Sequence, residues 1–496
     1  MPLHSFEFIL FLSLVFILYW SLFKNSARAQ NTLLTAASLF FYGWADWRFL
    51  SLLVFSVLFN FYTGKAIRRS ATKTRQYLLY LGLAVNIGIL FYFKYFHFFY
   101  GSFLRFFNGY EPDARYGALN IILPLGISFF TFQAIGYLVD LYKEEMEPAP
   151  GLLSFATYMT YFPKMTAGPI ERAENFLPRI AVRREFNRTR TVDGLRQILW
   201  GSFTKLVIAN NCATFTTPVF DNYDHLSGST LLLGAFFYLF QVYCDFSGYS
   251  NIAIGISKLF GIDLMRNFAA PFFSTNIRDY WKKWHISLSS WMMHYVFTPI
   301  SFTLRRYHKT GLILSIIITF LVIGLWHGAN WTFILFGLLH GLYFIPLILA
   351  SKPISRTTSG QNPASAPAKK AHPGPSPRQG LQMLGLFILV MLTLIVFGAD
   401  SVSQAIHYIG RLFSPSLFSK PSFPVEQGIG GTKTLLTILF ILALMTVEWI
   451  QKNKNHEMQI DDIKHPALRI GIYYTLILAI LLFGSVVHIY FMYAQF

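Results

Sequence analysis

The sequence predicts an all-α, polytopic integral membrane protein, and three observations support this fold class. Of the 496 residues, 54% are hydrophobic and only 13% are charged, whereas roughly 25% of the residues in soluble domains are charged. Apolar runs long enough to cross ~30 Å of hydrocarbon recur along the chain. The basic residues, which give a net charge of +18, cluster between these runs, as in the cytoplasmic loops of membrane proteins.

The apolar runs predict about ten to thirteen transmembrane helices. They lie near residues 6–23, 31–44, 48–63, 77–97, 121–141, 196–219, 230–258, 311–326, 331–350, 381–398, 434–450 and 469–492. No positive charge precedes the first run, and Lys24 and Arg28 follow it, so we expect an uncleaved span with its N-terminus outside. The basic clusters then lie on the cytoplasmic side, at 65–75, 164–196, 278–285, 305–309 and 452–464.

The chain is expected to divide into three segments. Residues 1–350 form the membrane-embedded body. Residues 351–380 are rich in Pro, Ser, Gly and Ala and contain no aromatic residue, so they predict a flexible cytoplasmic linker. Residues 381–496 supply C-terminal transmembrane helices that complete the same domain. No internal repeat is visible, which argues against an inverted-repeat transporter.

One amphipathic segment, residues 284–304, has positive charges on both flanks. Lys282 and Lys283 precede it, and Arg305 and Arg306 follow it. We therefore expect it to enter and leave the membrane on one side, as a re-entrant or interfacial element. Irregular backbone survives at membrane depth only where protein or a water-filled cavity satisfies it, so the body is expected to surround a central cavity or tunnel.

His327 is the leading candidate for a functional residue. It interrupts the apolar stretch "LVIGLWHGANWTFILFGLLHG", residues 321–341. A lone buried histidine is more often a packed core residue, but polar groups at membrane depth tend to line a substrate, ion or proton path. Histidine can also accept a proton and return it. Asn330 and Trp331 are expected to line the same pocket, where the "HGAN" break would free backbone amides for an oxyanion.

A second candidate region is "NIRDYWKKWHISLSSW", residues 276–291. His285 is either part of an interfacial segment or a second polar group that points into the cavity of His327. Arg278, Lys282 and Lys283 suit the charge bias of a cytoplasmic face. Their functional interpretation is that they attract a phosphate-bearing donor to the inner mouth of the cavity.

Asp245 lies in the stretch 240–268, at the end of an apolar run. It is either a helix cap at the membrane face or a buried carboxylate that pairs with a cation or a histidine. The sequence leaves both interpretations open.

Metal sites and tightly bound cofactors are not predicted. Cys212 and Cys244 lack the spacing of metal ligands and are expected to be buried small hydrophobic residues. No Walker loop, GxGxxG or HExxH motif occurs. Membrane orientation explains the positive charge, so nucleic-acid binding is not expected.

Five motifs occur in order along the chain: "YFPKMTAGPIER", "FQVYCDFSGYSNIAIGISKLFGI", "NFAAPFFSTNIRDYWKKWHISLSSW", "GLWHGANWTFILFGLLHG" and "HIYFMYAQF". Together they resemble the membrane-bound O-acyltransferase family, most closely its bacterial alginate O-acetyltransferase branch. The resemblance covers most of residues 1–345 and returns at the C-terminus. It implies a many-helix body with re-entrant segments, in which a cytoplasmic acyl thioester meets an acceptor from the other face.

The resemblance also implies roles for the two histidines. The buried histidine of the family's "WHG" motif, its catalytic residue, corresponds to His327, and a second polar position in "WHIS" corresponds to His285. The chain departs from the branch after "WHISLS" and at a late "FRA" pattern, where acceptor or partner contacts are expected. Its residues there are Met292, Met293, His294 and Tyr295, and later Phe397, Gly398 and Ala399.

The resemblance implies an O-acetyltransferase of the bacterial inner membrane. Its donor would be acetyl-CoA, and its acceptor the hydroxyls of an extracytoplasmic polysaccharide such as alginate. Transfer would be direct or through a periplasmic partner that resembles a serine hydrolase. Peptidoglycan, cellulose and teichoic acid remain alternative acceptors. A transporter or flippase, or a structural scaffold in a secretion complex, remain alternatives from other classes.

Overall fold

A computed structural model describes residues 1, 3, 5–108, 121–350, 375–421 and 431–485. The regular structure in these ranges is helical, and they contain no β-strand. The first helices are α1 (Phe6–Ser21), α2 (Ala27–Asp46), α3 (Leu50–Arg69), α4 (Thr72–Leu90), α5 (Phe96–Asn108), α6 (Ile127–Tyr142), α7 (Leu152–Thr160), α8 (Phe162–Met165), α9 (Ala173–Ala181), α10 (Arg188–Phe203) and α11 (Asn210–Asp221).

The second half of the chain carries the histidines and the C-terminal helices. Its helices are α12 (Gly228–Leu259), α13 (Ile277–Trp281), α14 (Ile286–Met292), α15 (Thr298–Thr303), α16 (His308–His327), α17 (Trp331–Tyr343), α18 (Ile345–Ala350), α19 (Pro377–Gly398), α20 (Val402–Leu412), α21 (Gly431–Gln451) and α22 (Pro466–Phe483).

The described ranges contain eight helical stretches that are long and apolar enough to cross a membrane. These stretches are Ala27–Arg69, Thr72–Leu104, Gly228–Leu259, Arg305–His327, Trp331–Ala350, Pro377–Gly398, Gly431–Gln451 and Pro466–Phe483. The first of them comprises α2 and α3, which a short turn separates. The predicted class, an α-helical polytopic membrane protein, is confirmed. The sequence-based count of ten to thirteen spans also included short apolar segments such as α1 and α6, of 16 residues each.

The central helix α12 is 32 residues long and mostly buried, and it packs on α10 through facing glycines. A Cβ atom at Gly201 would lie 2.6 Å from the carbonyl oxygen of Gly248. A Cβ atom at Gly194 would lie 2.7 Å from the carbonyl oxygen of Gly255. The two backbones can approach this closely only because neither helix carries side chains there, a common arrangement in membrane helices.

A buried ion pair also ties α12 to the turn that follows α10. The Lys205 ammonium group donates to the Asp245 carboxylate, and both side chains are buried. A charge at membrane depth is costly unless it is paired. Of the two interpretations of Asp245, the structure therefore supports the buried partner of a cation.

The helices α16 and α17 form a tightly packed hairpin. A Cβ atom at Gly324 would lie 2.2 Å from the carbonyl oxygen of Phe333, and one at Gly337 would lie 2.2 Å from that of Phe320. The two glycines therefore bring the helix backbones into contact. His327, the last residue of α16, lies where the hairpin turns.

The segment predicted to be re-entrant or interfacial, 284–304, is mostly helical. It comprises α14, a π turn at Met293–Phe297 and α15. The chain is exposed at Lys282, fully buried at His285 and Leu288, and exposed again at Phe302 and Arg305. The middle of the segment is therefore enclosed by the protein, and both of its ends are exposed.

Most of the predicted linker, residues 351–374, lies outside the described residues. The helix α19 begins at Pro377, just before the predicted C-terminal segment, 381–496. Within α19, Phe397 packs against the His327 ring at 5.2 Å between centroids. The C-terminal segment therefore contributes to the surroundings of His327.

The hairpin contact predicts that Gly324→Ala destabilises the fold. Alanine alone favours a helix by ~1 kcal/mol over glycine, but the new methyl group would clash with Phe333 and cost ~1–3 kcal/mol. The measurement is the thermal unfolding midpoint of purified protein in detergent. Gly385→Ala on α19 is the control, because a Cβ atom there meets nothing within 4 Å. Equal midpoints for the two variants would contradict close packing of the hairpin.

Candidate active site

His327 ends helix α16 and is 2% exposed. The helix stops there because Gly328 adopts an extended backbone conformation, and a Cβ atom at this position would lie 2.2 Å from the Phe333 ring. The next helix starts at once, since the Asn330 side chain accepts a hydrogen bond from the Thr332 amide and caps α17. The short break thus fixes the direction in which His327 leaves the helix.

Three aromatic rings surround the His327 imidazole. The ring centroids lie 4.8 Å away for Trp326, 5.2 Å for Phe397 and 5.7 Å for Phe336. These residues come from three helices, α16, α19 and α17. The aromatic surroundings restrict the orientation of the imidazole and keep bulk water away from it.

His285 is fully buried and precedes α14 with a left-handed backbone, φ 45°. This conformation costs a non-glycine residue roughly 1–2 kcal/mol and is typical of functional sites. Asn267 supports it, because its backbone oxygen accepts from the Ile286 amide at 2.9 Å and its side-chain oxygen accepts from the Ser287 amide at 3.2 Å. The Asn267 side chain in turn donates to the Ser250 hydroxyl at 3.0 Å.

The structure brings the two predicted histidines together around Trp326. The His285 ring centroid lies 5.4 Å from the Trp326 ring, on which His327 also packs. Phe246 packs on His285 at 4.5 Å. The functional interpretation of His285, as a second polar group beside His327, requires the two histidines to lie close together in this way.

A third buried histidine, His340, lies next to this pair on α17. Its Nδ1 accepts a hydrogen bond from the Trp281 indole at 3.3 Å, so a neutral ring carries its proton on Nε2. The Phe336 ring lies 4.5 Å away. His340 therefore links α13 to α17, and this packing role accounts for its position.

An apolar cavity of about 470 Å³ opens beside these residues. Two of the predicted donor-binding cations, Arg278 and Lys282, line it, and both are exposed. Within the described ranges neither makes an ion pair. Trp281, Phe320 and Ile323 also line the cavity, and Ile323 lies about one turn before His327 on α16. Neither His327 nor His285 lines the cavity. A tunnel from the cavity to His327 would therefore have to pass Trp281, Phe320 and Ile323.

The other predicted contact residues lie elsewhere. Lys283 pairs with Asp279 at 2.8 Å and does not line the cavity. Asn330 caps α17, and its amide nitrogen donates to the Asp400 carbonyl at 2.9 Å. Trp331 is 53% exposed and packs on Phe98. Of the five predicted contacts, the structure places Arg278 and Lys282 at this cavity.

A smaller cavity of about 240 Å³ lies near Trp326. It is lined by Asp46, Ser128 and Phe129, among others, and the Phe129 ring lies 5.8 Å from the Trp326 ring. The predicted orientation puts Asp46, between α2 and α3, on the extracytoplasmic side. In the predicted topology, this cavity lies toward the extracytoplasmic face and the cavity lined by Arg278 and Lys282 toward the cytoplasmic face.

Lys94 is a residue near the site to which the sequence analysis gave no role. Its ammonium group donates to the Trp326 carbonyl at 2.5 Å and to the Ser128 hydroxyl at 3.3 Å. A signal was available, since Lys94 is the single cation of the predicted span 77–97. Ionisable residues within such spans mark functional sites by default.

Within the described ranges, one cluster has the residue types of a metal site: Asp140, Glu145 and His294. Arg172 reaches Asp140 at 3.2 Å and Glu145 at 3.1 Å, and the Tyr295 hydroxyl donates to Asp140 at 2.7 Å. The carboxylate oxygens are therefore already engaged. This cluster is an ion-pair network.

Comparison with known proteins connects this geometry to a family. The family model "MBOAT, membrane-bound O-acyltransferase family" matches residues 143–369, a range that contains His285 and His327. The chain is 34% identical to a probable alginate O-acetylase of Azotobacter vinelandii, across 82% of this chain and 76% of the relative.

Two other relatives act on different polymers, according to their names. A peptidoglycan O-acetyltransferase of Helicobacter pylori is 36% identical, across 64% of this chain and 66% of the relative. A teichoic acid D-alanyltransferase of Streptococcus thermophilus is 30% identical, across 58% of this chain and 71% of the relative. With its helical spans, its buried histidines and these relatives, the chain belongs to the membrane-bound O-acyltransferase family and is an O-acyltransferase.

Proposed function

We propose that the protein is an O-acetyltransferase of the bacterial inner membrane. It transfers acetyl groups from cytoplasmic acetyl-CoA to hydroxyls of an extracytoplasmic polysaccharide. The observation that carries this proposal is the placement of His327 and His285 on one Trp326 ring, next to an apolar cavity edged by Arg278 and Lys282.

The cavity supports a coenzyme A thioester as donor. Its volume, about 470 Å³, lies within the range of small-molecule sites. Its apolar walls suit the pantetheine arm and the acetyl group. The cations Arg278 and Lys282 stand on the predicted cytoplasmic face, where they attract the phosphates of the donor.

The choice of acceptor follows the relatives. The alginate O-acetylase match extends over 82% of this chain, whereas the matches to the peptidoglycan and teichoic acid enzymes extend over 64% and 58%. An alginate-like polysaccharide is therefore the leading acceptor. Peptidoglycan and teichoic acid remain the alternatives that the other relatives support.

His327 is assigned the role of general base. The acceptor hydroxyl attacks the thioester carbonyl carbon while the imidazole takes the hydroxyl proton. The C–S bond then breaks, and the imidazole returns the proton to the departing thiolate, so that an ester and a free thiol leave. Proton transfer of this kind contributes about 10²- to 10⁴-fold to the rate. Backbone amides of the 328–330 break are proposed to stabilise the oxyanion.

His285 is assigned a second polar contact with the reacting groups. Its left-handed backbone holds the ring against Trp326, so its position does not depend on rotamer choice alone. The left-handed backbone of His285 is strained, and packing interactions elsewhere must compensate for this unfavourable free energy, as at other functional sites.

The acceptor of the first transfer is proposed to be a serine on a periplasmic partner that completes the transfer to the polymer. This assignment rests on analogy within the family. It is tested with purified protein, acetyl-CoA and free polymer. Acetylation of the polymer without any further component would contradict the partner route.

We predict that His327→Gln abolishes transfer while the protein remains folded. Loss of the base should lower the rate by about 10²- to 10⁴-fold, because glutamine cannot take up the hydroxyl proton. The measurement is transfer of labelled acetyl groups from acetyl-CoA in membrane vesicles, together with the base-labile ester content of surface polymers. His407→Gln, an exposed histidine on α20, is the control and should keep wild-type activity.

The same variant separates the enzyme from the other classes. An acyltransferase loses polymer esters while polymer export continues. Loss of export with intact esters would favour a transporter, and no effect on either would favour a scaffold.

We predict that Arg278→Met and Lys282→Met each raise the donor KM by about 5-fold, which corresponds to ~1 kcal/mol for an exposed ion pair. The turnover number should change little, because neither cation is near His327. Added salt should weaken donor binding less in the double variant than in the wild type. Arg305→Met, an exposed cation that does not line the cavity, is the control. A KM that stays at the wild-type value in both variants would remove the cavity as the donor site.

A further inference from the structure

Lys94 makes direct contact with the helix end that carries His327. It lies in a π turn, Phe91–Tyr95, inside the apolar stretch Thr72–Leu104. Its ammonium group donates to the Trp326 carbonyl at 2.5 Å, and the hydroxyl of the next residue, Tyr95, donates to the Leu325 carbonyl at 2.9 Å. Two consecutive residues therefore bind two consecutive carbonyls just before His327.

These carbonyls need partners. The last four carbonyl groups of a helix accept no hydrogen bond from an amide of the same helix, and Leu325 and Trp326 are among the last residues of α16. A lysine near a helix C-terminus binds such carbonyls and stabilises the negative end of the helix dipole. Lys94 and Tyr95 supply these partners.

Both residues lie in one π turn, Phe91–Tyr95. Such a turn interrupts an α-helix locally and is frequent at functional sites. Here an ammonium group and a phenol on consecutive residues both reach the C-terminal end of α16.

The cost of a lysine here argues for a functional role. A cation within a membrane span is costly, and a neutral side chain would avoid that cost. A polar group could satisfy one carbonyl, as Tyr95 does. Lys94 also reaches the Ser128 hydroxyl on α6 at 3.3 Å, so it connects three helical segments at the base of the site.

We propose that Lys94 is a positioning residue, which holds the C-terminus of α16 so that the His327 imidazole stays in its reactive orientation. The inference rests on the proposed role of His327 as the base. Trp326, whose carbonyl Lys94 binds, also packs on both His285 and His327. Movement of the Trp326 backbone would therefore disturb both histidines, whereas the donor cavity does not include Lys94.

The kinetic test compares Lys94→Met with Lys94→Arg in purified protein reconstituted into vesicles. Misplacement of a catalytic group by about 1 Å lowers rates by about 10²-fold, so Lys94→Met should lower kcat by about that factor. The donor KM should stay within about 3-fold of wild type. Lys94→Arg keeps a cationic N–H donor and should recover at least about a tenth of the wild-type kcat.

The matched control is Lys65→Met, another half-buried lysine in an apolar helix, which lies over the Phe61 ring at 4.5 Å. It should keep wild-type kcat. If Lys94→Met does not fold, Tyr95→Phe takes its place, because it removes only the neighbouring bond to Leu325. We expect about a 5-fold lower kcat from the loss of one hydrogen bond and an unchanged donor KM.

A second readout needs no acyl donor. The rate at which diethyl pyrocarbonate modifies His327, read by mass spectrometry, should rise about 5-fold in Lys94→Met, since the ring is then held less firmly; a free-energy change of ~1 kcal/mol corresponds to this factor. Modification of the exposed His407 should not change. This measurement remains valid if the wild type does not use acetyl-CoA, an outcome that would refute the proposed donor alone.

Several results would overturn the inference. These are an unchanged kcat and His327 reactivity in Lys94→Met, a raised donor KM with normal kcat, or Lys94→Arg no more active than Lys94→Met. In the Tyr95→Phe arm, a wild-type kcat would have the same consequence.

Discussion

The Trp326 side chain and backbone make the contact on which the candidate site depends. The indole ring packs on both His285 and His327, and the carbonyl of the same residue accepts from Lys94. The hairpin glycines Gly324 and Gly337 let the backbones of α16 and α17 come into contact. This contact helps to fix the position of Trp326 in the protein. Protein cores are packed as densely as organic crystals, so a small shift of Trp326 is passed on to the side chains that contact it. The positions of His285 and His327 therefore both depend on Trp326.

Charge burial organises the rest of the helical body. Lys205 and Asp245 form a pair between α12 and the turn after α10, so neither faces lipid alone. By contrast, Arg278 and Lys282 stand exposed at the rim of an apolar cavity. The buried, paired charges and the exposed charges at the cavity rim have different roles. The first hold helices together, and the second are the feature on which the proposed binding of an anionic donor rests.

The sequence predicted the helical membrane class, which is confirmed, because this class depends on local composition. It singled out His285 and His327 by their motifs, and their role stays a prediction. Long apolar runs reveal spans, and a histidine in such a run is conspicuous. The sequence analysis did not predict that Lys283 would pair with Asp279 or that Asn330 would cap α17, since side-chain partners depend on short-range geometry. Lys94 shows the opposite case: its signal was present, but its partner, Trp326, is more than two hundred residues away in the chain.

The contact between Phe397 and His327 has a consequence for how the chain can be divided. Phe397 belongs to α19, which follows the segment after α18, yet it forms one side of the imidazole's surroundings. A polypeptide severed between these two helices would leave the histidine in one fragment and part of its aromatic enclosure in the other. Activity in such a split protein would require the fragments to reassociate in the lipid, so the reaction is a property of both pieces together.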